Sequence, residues 1–263
     1  MAILNVTPDS FSDGGQFIET ARAVERALAL VEVGVDIIDV GGESTRPGAT
    51  PVSYQQEIER VAPVIEGIRA VSPVVISIDT WKAETAAAAI AAGADIINDV
   101  SGLQDPGMLE TVVNSGAGVV VMHLHAPISG IHHVPPIDGD VVKAVHEALC
   151  HTVGRLQTAG VSADRIAADP GLGFGKTLEQ NYALLGCITK ALPADCVRLV
   201  GASRKRMIRS VVGDAAHAVE AGTLAAHVAA IVNGAHVVRV HDAHAAVAAR
   251  SVLRALLAGP STM

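Results

Sequence analysis

Apolar positions along the chain switch repeatedly between two spacings. Stretches with apolar residues three and four apart, as one helix face requires, alternate with short unbroken runs of Ile, Val and Leu, as a strand buried on both faces requires. The runs predict strands near residues 2, 35, 74, 95, 118, 165, 197 and 235. Helical spacing follows each of them, over 19–33, 54–70, 82–92, 106–115, 141–159, 178–192, 203–212 extended by 220–233, and 243–257. One phrase marks the joins: GVDIIDVGG (34–42) recurs as GADIINDVSG (93–102), is echoed by GAGVVVMH (116–123) and closes as GAHVVRVHD (234–242). A glycine ends a helix, an apolar run forms a strand and a polar residue stops it, so the chain repeats a helix-to-strand unit.

Eight such units predict an α/β chain folded as a closed parallel (β/α)8 TIM barrel, with residues 1–263 forming a single domain. An open doubly wound sheet is the alternative, but it usually carries GxGxxG after its first strand, where this chain has NVTPDSFSDGG (5–15).

Composition narrows the class. Half of the 263 residues are hydrophobic, yet there are only one Trp, two Tyr and three Phe, so the core is built from Ala, Val, Ile and Leu. No apolar run is long enough to span a bilayer and no charged segment precedes an apolar one at the N-terminus, which predicts a cytoplasmic protein without membrane association. Cys150, Cys187 and Cys196 have no ligand spacing and are expected to be reduced. A net charge of -8 argues against nucleic-acid binding, which needs a basic surface. The basic residues that stand out are local: Arg46, Arg204 to Arg206 and Arg239.

In a barrel of this kind the chemistry lies where strands end, in the loops that lead into the helices. The polar residues expected there are Asn5, Asp39 with Glu43, Asp79, Asn98 with Asp99, His123 beside Met122, Asp169, Lys205, and Arg239 with His241. Asp169 opens DPGLGFGK (169–176), an acid, three glycines, an aromatic and a lysine at one strand-to-helix junction. Asp79, Asn98, Asp169 and Lys205 together suit a flat heterocycle carrying amino, ring N–H and carbonyl groups. Arg239 and His241 beside Asn5 suit a phosphate or pyrophosphate, with an amide oxygen available to a divalent cation. Phe11, Arg46 and Pro47 sit on polar, glycine-flanked loops able to cover the mouth.

Each residue also has a purely structural reading. Asp79 with Thr80 could cap the next helix, Asn98 with Asp99 could make a turn, and Ser203 could cap a helix beginning with Arg204. His123, His125, His132 and His133 resemble a metal site by count, but no ligand spacing completes it.

Eight stretches together resemble dihydropteroate synthase: ILNVTPDSFSDGG (3–15), DIIDVGGESTRPGA (36–49), ISIDT (76–80), INDVSG (97–102), VVMH (120–123), DPGLGFGKT (169–177), VGASRK (200–205) and RVHD (239–242). They occur in family order over essentially the whole chain. The resemblance implies a transferase that joins 6-hydroxymethyl-7,8-dihydropterin pyrophosphate to p-aminobenzoate, giving 7,8-dihydropteroate and pyrophosphate for folate biosynthesis. By the same resemblance, Asp79, Asn98, Met122, Asp169, Phe174 and Lys205 would hold the pterin. Asn5, Arg239 and His241 would bind pyrophosphate, Asn5 also through Mg2+, and Phe11, Asp13, Thr45, Arg46, Pro47 and Lys205 would shape the aminobenzoate side. Asp79, Asp169, Lys205 and Arg239 would carry a dissociative reaction, sulfonamides would inhibit it, and the protein would be a homodimer.

Three departures stand out. Family members usually place a short hairpin before the first strand, whose absence here would expose apolar surface unless the true start lies upstream. Arg206 follows Lys205 where Ser is usual, and the loop over 123–136 follows no family pattern. Two other functions compete: a methyltetrahydrofolate-dependent corrinoid methyltransferase, which has no use for the SRK and RVHD residues, and a pterin-binding paralogue without turnover.

Overall fold

The computed structural model describes residues 1–6, 16–44, 50–128 and 134–258. Eight parallel strands run in sequence order around one sheet: β1 (Ala2–Asn5), β2 (Ile37–Gly41), β3 (Val75–Asp79), β4 (Ile96–Asp99), β5 (Gly118–Met122), β6 (Ile166–Asp169), β7 (Val197–Val200) and β8 (Val237–Val238). The sheet closes on itself, because Ala2 bridges Val240, the Ile3 amide donates to the Val240 carbonyl and the Val240 amide to that of Met1, both at 2.9 Å. The fold is the (β/α)8 barrel that the alternating spacings predict.

Ten helices surround the strands among the described residues: α1 (Gln16–Val33), α2 (Tyr54–Val71), α3 (Ala83–Ala91), α4 (Met108–Ser115), α5 (Val141–Thr158), α6 (Leu178–Gly186), α7 (Ile188–Ala191), α8 (Arg206–Val212), α9 (Ala216–Val232) and α10 (Ala243–Ala258). Ile38, Ile76, Ile78, Ile97 and Ile166 are almost fully enclosed, sharing one core with Val61, Ile65 and Ile68 of α2 and Leu149 and Leu156 of α5. Small helix residues such as Ala23, Ala27, Ala86 and Ala89 let the helices lie close to this β-branched surface. A capping box at Ser53 and Gln56 starts α2, and Asp140 accepts from Val142 and Lys143 at the start of α5.

The repeated glycine phrase has a consistent role at the helix-to-strand end of the barrel. Gly34 and Gly93 take φ of 96° and 111°, a left-handed turn that other residues rarely adopt. At all four repeats an arginine from a neighbouring element collects the exposed carbonyl: Arg250 takes Gly34, Arg69 takes Gly93, Arg165 takes Ala117 and Arg198 takes Gly234. Arg69 also holds Val74 O and Asp95, so one side chain ties the end of α2 to the starts of β3 and β4.

Two expected helices differ in extent. The spacing over 178–192 forms two helices, because Cys187 (φ −129°, ψ 37°) interrupts the backbone while Leu184, Leu185, Ile188 and Ala191 still face the core. The helix expected from Ser203 begins at Arg206, since Arg204 is left-handed (φ 56°) and the Ser203 hydroxyl is bonded elsewhere. No single helix among the described residues is long and apolar enough to cross a membrane.

Candidate active site

Strand register sets the floor of the site. Asn5 pairs with Gly41, Gly41 with Asp79 and Asp79 with Asn98, so three polar side chains and one glycine occupy one rung at the ends of β1 to β4. Met122 and Asp169 pair at the ends of β5 and β6. A methyl group placed on Gly41 would stand 3.7 Å from both Asn5 Oδ1 and Asp79 Oδ2. One on Gly201, just past β7, would stand 3.8–3.9 Å from Arg239 Cβ, Asp169 Oδ2 and Lys205 Nζ. Two glycines thus leave the room around which Asn5, Asp79, Asp169, Lys205 and Arg239 meet.

Arg239 crosses the mouth. Its Nε donates to Asp39 Oδ2 and its Nη2 to Asp79 Oδ2, each at 2.5 Å, and Asn98 Nδ2 donates to Asp39 at 3.2 Å. The guanidinium has five N–H groups, so two bonds to carboxylates leave further donors for a ligand. Burial pushes the Asp79 carboxyl up to about 7, against the pull of Arg239 and with the repulsion of Asp39. Burial alone would lower Arg239, but Asp39 and Asp79 raise it above its ordinary value, so it stays charged.

Asp169 and Lys205 form the opposite wall. Asp169 Oδ1 accepts from the Gly171 amide at 2.7 Å, and burial raises its carboxyl while Lys205 pulls it down. Lys205 Nζ donates to Leu172 O at 2.5 Å and stands 4.7 Å from the centre of the Phe174 ring. Desolvation brings this ammonium down to about 8, with Asp169 holding it up. His241 is oriented by Ser203, whose hydroxyl meets its Nδ1 at 2.9 Å and accepts its backbone N–H at 3.2 Å.

A second ionic group lies behind β2 and β3. Lys82 Nζ contacts Glu43 at 2.7 Å and the enclosed Glu57 at 2.8 Å, with Trp81 Nε1 and the Val52 amide also donating to Glu43. Thr80 and Thr85 hydroxyls donate to the same oxygen of Glu57, Oε2.

The structure therefore brings together Asn5, Asp79, Asn98, Met122, Asp169, Phe174, Lys205, Arg239 and His241, while Phe11, Asp13, Thr45, Arg46 and Pro47 lie outside the described residues. Asp99 does make the turn that its structural reading offered, accepting from Ser101 and Leu103, and burial raises it to about 6. Ser203 is no helix cap. The sequence placed Asp39 at the mouth without a role, and its partner Arg239 is 200 residues away, so no local signal joins them. His123 is buried and held neutral, its pKa pushed by desolvation to about 3. Among the described residues no group of three or more His, Cys, Asp or Glu could hold a metal ion.

Comparisons with known proteins show the family. A family model described as pterin binding enzyme matches residues 1–241. A dihydropteroate synthase of Escherichia coli K12 is 42% identical over 257 residues, covering 98% of this chain and 91% of that one. A probable bifunctional folylpolyglutamate synthase/dihydropteroate synthase of Haloferax volcanii is 48% identical over 253 residues, 96% of this chain, which spans only 30% of that longer protein. A solved structure of Xanthomonas albilineans dihydropteroate synthase with 4-aminobenzoic acid superposes with a TM-score of 0.91 at 43% identity, covering 99% of this chain and 93% of that one.

Proposed function

The chain belongs to the family of pterin-binding enzymes, and from that premise we propose that it is a dihydropteroate synthase, joining 6-hydroxymethyl-7,8-dihydropterin pyrophosphate to p-aminobenzoate. The observation that carries the reading is the meeting of a partly buried carboxylate, Asp79, and a buried one, Asp169, with two cations, Lys205 and Arg239, around the space left by Gly41 and Gly201. A pterin edge presents N–H donors to carboxylates and a carbonyl to a cation. A leaving pyrophosphate needs the cationic side.

The reaction divides along the same line. The bond between the pterin methylene carbon and its oxygen breaks, the electron pair leaves with pyrophosphate, and the cationic pterin is stabilised by Asp79 and Asp169. The aniline nitrogen then forms the new C–N bond and loses a proton. Arg239 and His241 stabilise the developing charge on the leaving group, an effect strongest where dipoles and charges are already oriented. Asp39 fixes one edge of Arg239 and Ser203 fixes His241, so neither must reorganise at the moment of bond breaking. Met122, Asn98 and Phe174 line the pterin, and Phe11, Asp13, Thr45, Arg46 and Pro47 with Lys205 form the aminobenzoate side, where sulfonamides would compete.

Mg2+ demands oxygen ligands and keeps several waters, entering such sites with a phosphate rather than through a protein cage. The amide oxygen of Asn5 beside Gly41, with no group of three or more His, Cys, Asp or Glu among the described residues able to hold a metal ion, fits a cation brought by the pyrophosphate. Held there, it would supply neutralisation of the leaving group's charge.

The same reading makes the protein a cytoplasmic homodimer acting on small molecules. Val252 and Leu256, four residues apart on α10 and 69% and 71% exposed, give an apolar stripe that supports burial against a second copy. The experiment that tests the function is turnover: with the pterin pyrophosphate, p-aminobenzoate and Mg2+, the purified protein is expected to release pyrophosphate and form dihydropteroate.

A further inference from the structure

The loop after β6 is closed by an ammonium group that the site above does not use. Lys176 is only 9% exposed and forms no ion pair among the described residues. Its Nζ donates instead to two carbonyls of its own loop, Gly171 O at 2.9 Å and Phe174 O at 3.0 Å. The Phe174 amide returns to Gly171 O at 3.2 Å. From the other side Asn181 accepts from the Gly173 amide at 2.6 Å and donates to Lys176 O and Thr177 O.

The loop needs such fastening. Gly171, Gly173 and Gly175 all have positive φ, at 67°, 84° and 62°, and a glycine-rich backbone has more freedom to lose than any other. Burying an ammonium costs several kcal/mol, in round figures, unless its hydrogen bonds are made. Desolvation indeed pushes this group down to about 7. A methionine would fill the space without that cost, so the charge and its donors answer to something other than packing.

What they fasten is the seat of Lys205. Leu172 O receives the Lys205 ammonium, the Phe174 ring lies beneath it, and an added methyl at Gly173 would come within 3.2 Å of Lys205 Cδ. We propose that Lys176 is a positioning residue for the pterin side of the site: by drawing the Gly171 and Phe174 carbonyls together it shapes the turn that presents Leu172 O and the Phe174 ring to Lys205, beside Asp169. The inference rests on the reading of this site as a pterin pocket.

The test is Lys176→Met, which removes the donors and keeps the side-chain length. Amide hydrogen exchange over residues 171–175 is expected to quicken, and KM for the pterin pyrophosphate to rise about tenfold, well inside the loss that a small misplacement produces. KM for p-aminobenzoate is expected to move less than the pterin KM, and circular dichroism not at all. Unchanged exchange, or quickened exchange with an unchanged pterin KM, overturns the proposal. A rise in KM with unchanged exchange overturns it equally, since Lys176 would then act on pterin by another route. If the methionine variant does not fold, Lys176→Gln keeps an N–H donor and is expected to show both effects in weaker form; wild-type values in both readouts overturn the proposal. Wild-type turnover is measured alongside. Its absence counts against the synthase reading, while exchange and directly titrated pterin affinity still decide the role of Lys176.

Discussion

Arg239 donates its Nε to Asp39 Oδ2 at 2.5 Å, joining the end of the last barrel strand to the second across 200 residues of sequence. Asp39 is fully enclosed and Arg239 retains partial exposure, so the pair faces the guanidinium to the mouth and its anchor to the core. Asp39→Asn is expected to leave the barrel folded and to lower kcat more than it raises either KM, because an untethered Arg239 must reorganise as charge develops on the leaving group. A steady-state comparison with the parent protein reads this directly; equal kcat would remove Asp39 from the account.

Asp79 couples function to stability with a definite sign. Its carboxyl titrates near 7 in the folded protein, above the usual carboxylate value, because burial disfavours the charge. The folded state then holds the proton more tightly than the unfolded chain, so the penalty is complete above pH 7 and disappears as pH falls toward about 4. Asp79→Asn keeps an acceptor for Arg239 and is expected to raise Tm at pH 8 by at least about 2 °C, roughly the shift of 1 kcal/mol in a chain of this size. At pH 4 the gain is expected to vanish. In the parent, kcat/KM for the pterin substrate is expected to fall on the acid side of about pH 7 as this acceptor is protonated.

The Lys82 network is a stability element. Removing the cation by Lys82→Met leaves Glu43 and Glu57 without their shared counter-charge, a loss expected to cost about 3–5 kcal/mol. Urea unfolding measures it. Adding Glu57→Gln is expected to recover part of the loss, because the enclosed charge goes as well.

Gly171 has both a φ of 67° and no space: a Cβ there would lie 2.2 Å from the His123 carbonyl oxygen. Gly171→Ala is expected to cost about 1–2 kcal/mol from the backbone conformation alone. Relief of the clash must move His123, whose amide donates to Asp169 O, or Asp169 itself. Calorimetric titration is expected to show pterin affinity falling with stability.

Ser203→Ala removes the hydroxyl that meets His241 Nδ1, so the imidazole remains but loses that fixing contact. The expected result is weaker binding of the pterin pyrophosphate with unchanged affinity for the corresponding pterin alcohol. Equal losses for both would place His241 away from the pyrophosphate.

Much of this was legible because the barrel repeats itself. The glycine phrase at 34, 93, 116 and 234 announces a strand each time, and the polar residue five to seven positions later, Asp39, Asn98, His123 or Arg239, stands where that strand ends. The division of 178–192 at Cys187 was not legible, since both halves turn apolar residues to the same surface and the interruption lies only in backbone angles. Ser203 reads locally as a helix cap, and its partner His241 comes from the loop after β8. Asp39 is hidden in the same way: an acid inside an apolar strand becomes intelligible only once barrel closure brings Arg239 across. Lys176 looks like an ordinary junction lysine just before a helix until the glycine-rich turn before it brings its carbonyls onto the ammonium.

The carboxylates and cations gathered around Gly41 and Gly201 are proposed to make dihydropteroate. The most direct measurement follows pyrophosphate and dihydropteroate together, from purified protein given 6-hydroxymethyl-7,8-dihydropterin pyrophosphate, p-aminobenzoate and Mg2+, with Lys205→Ala in parallel. Equimolar formation of both products, lost in the variant, is the predicted result. Tight pterin binding by the parent with neither product formed would contradict the account and leave a binding protein in its place.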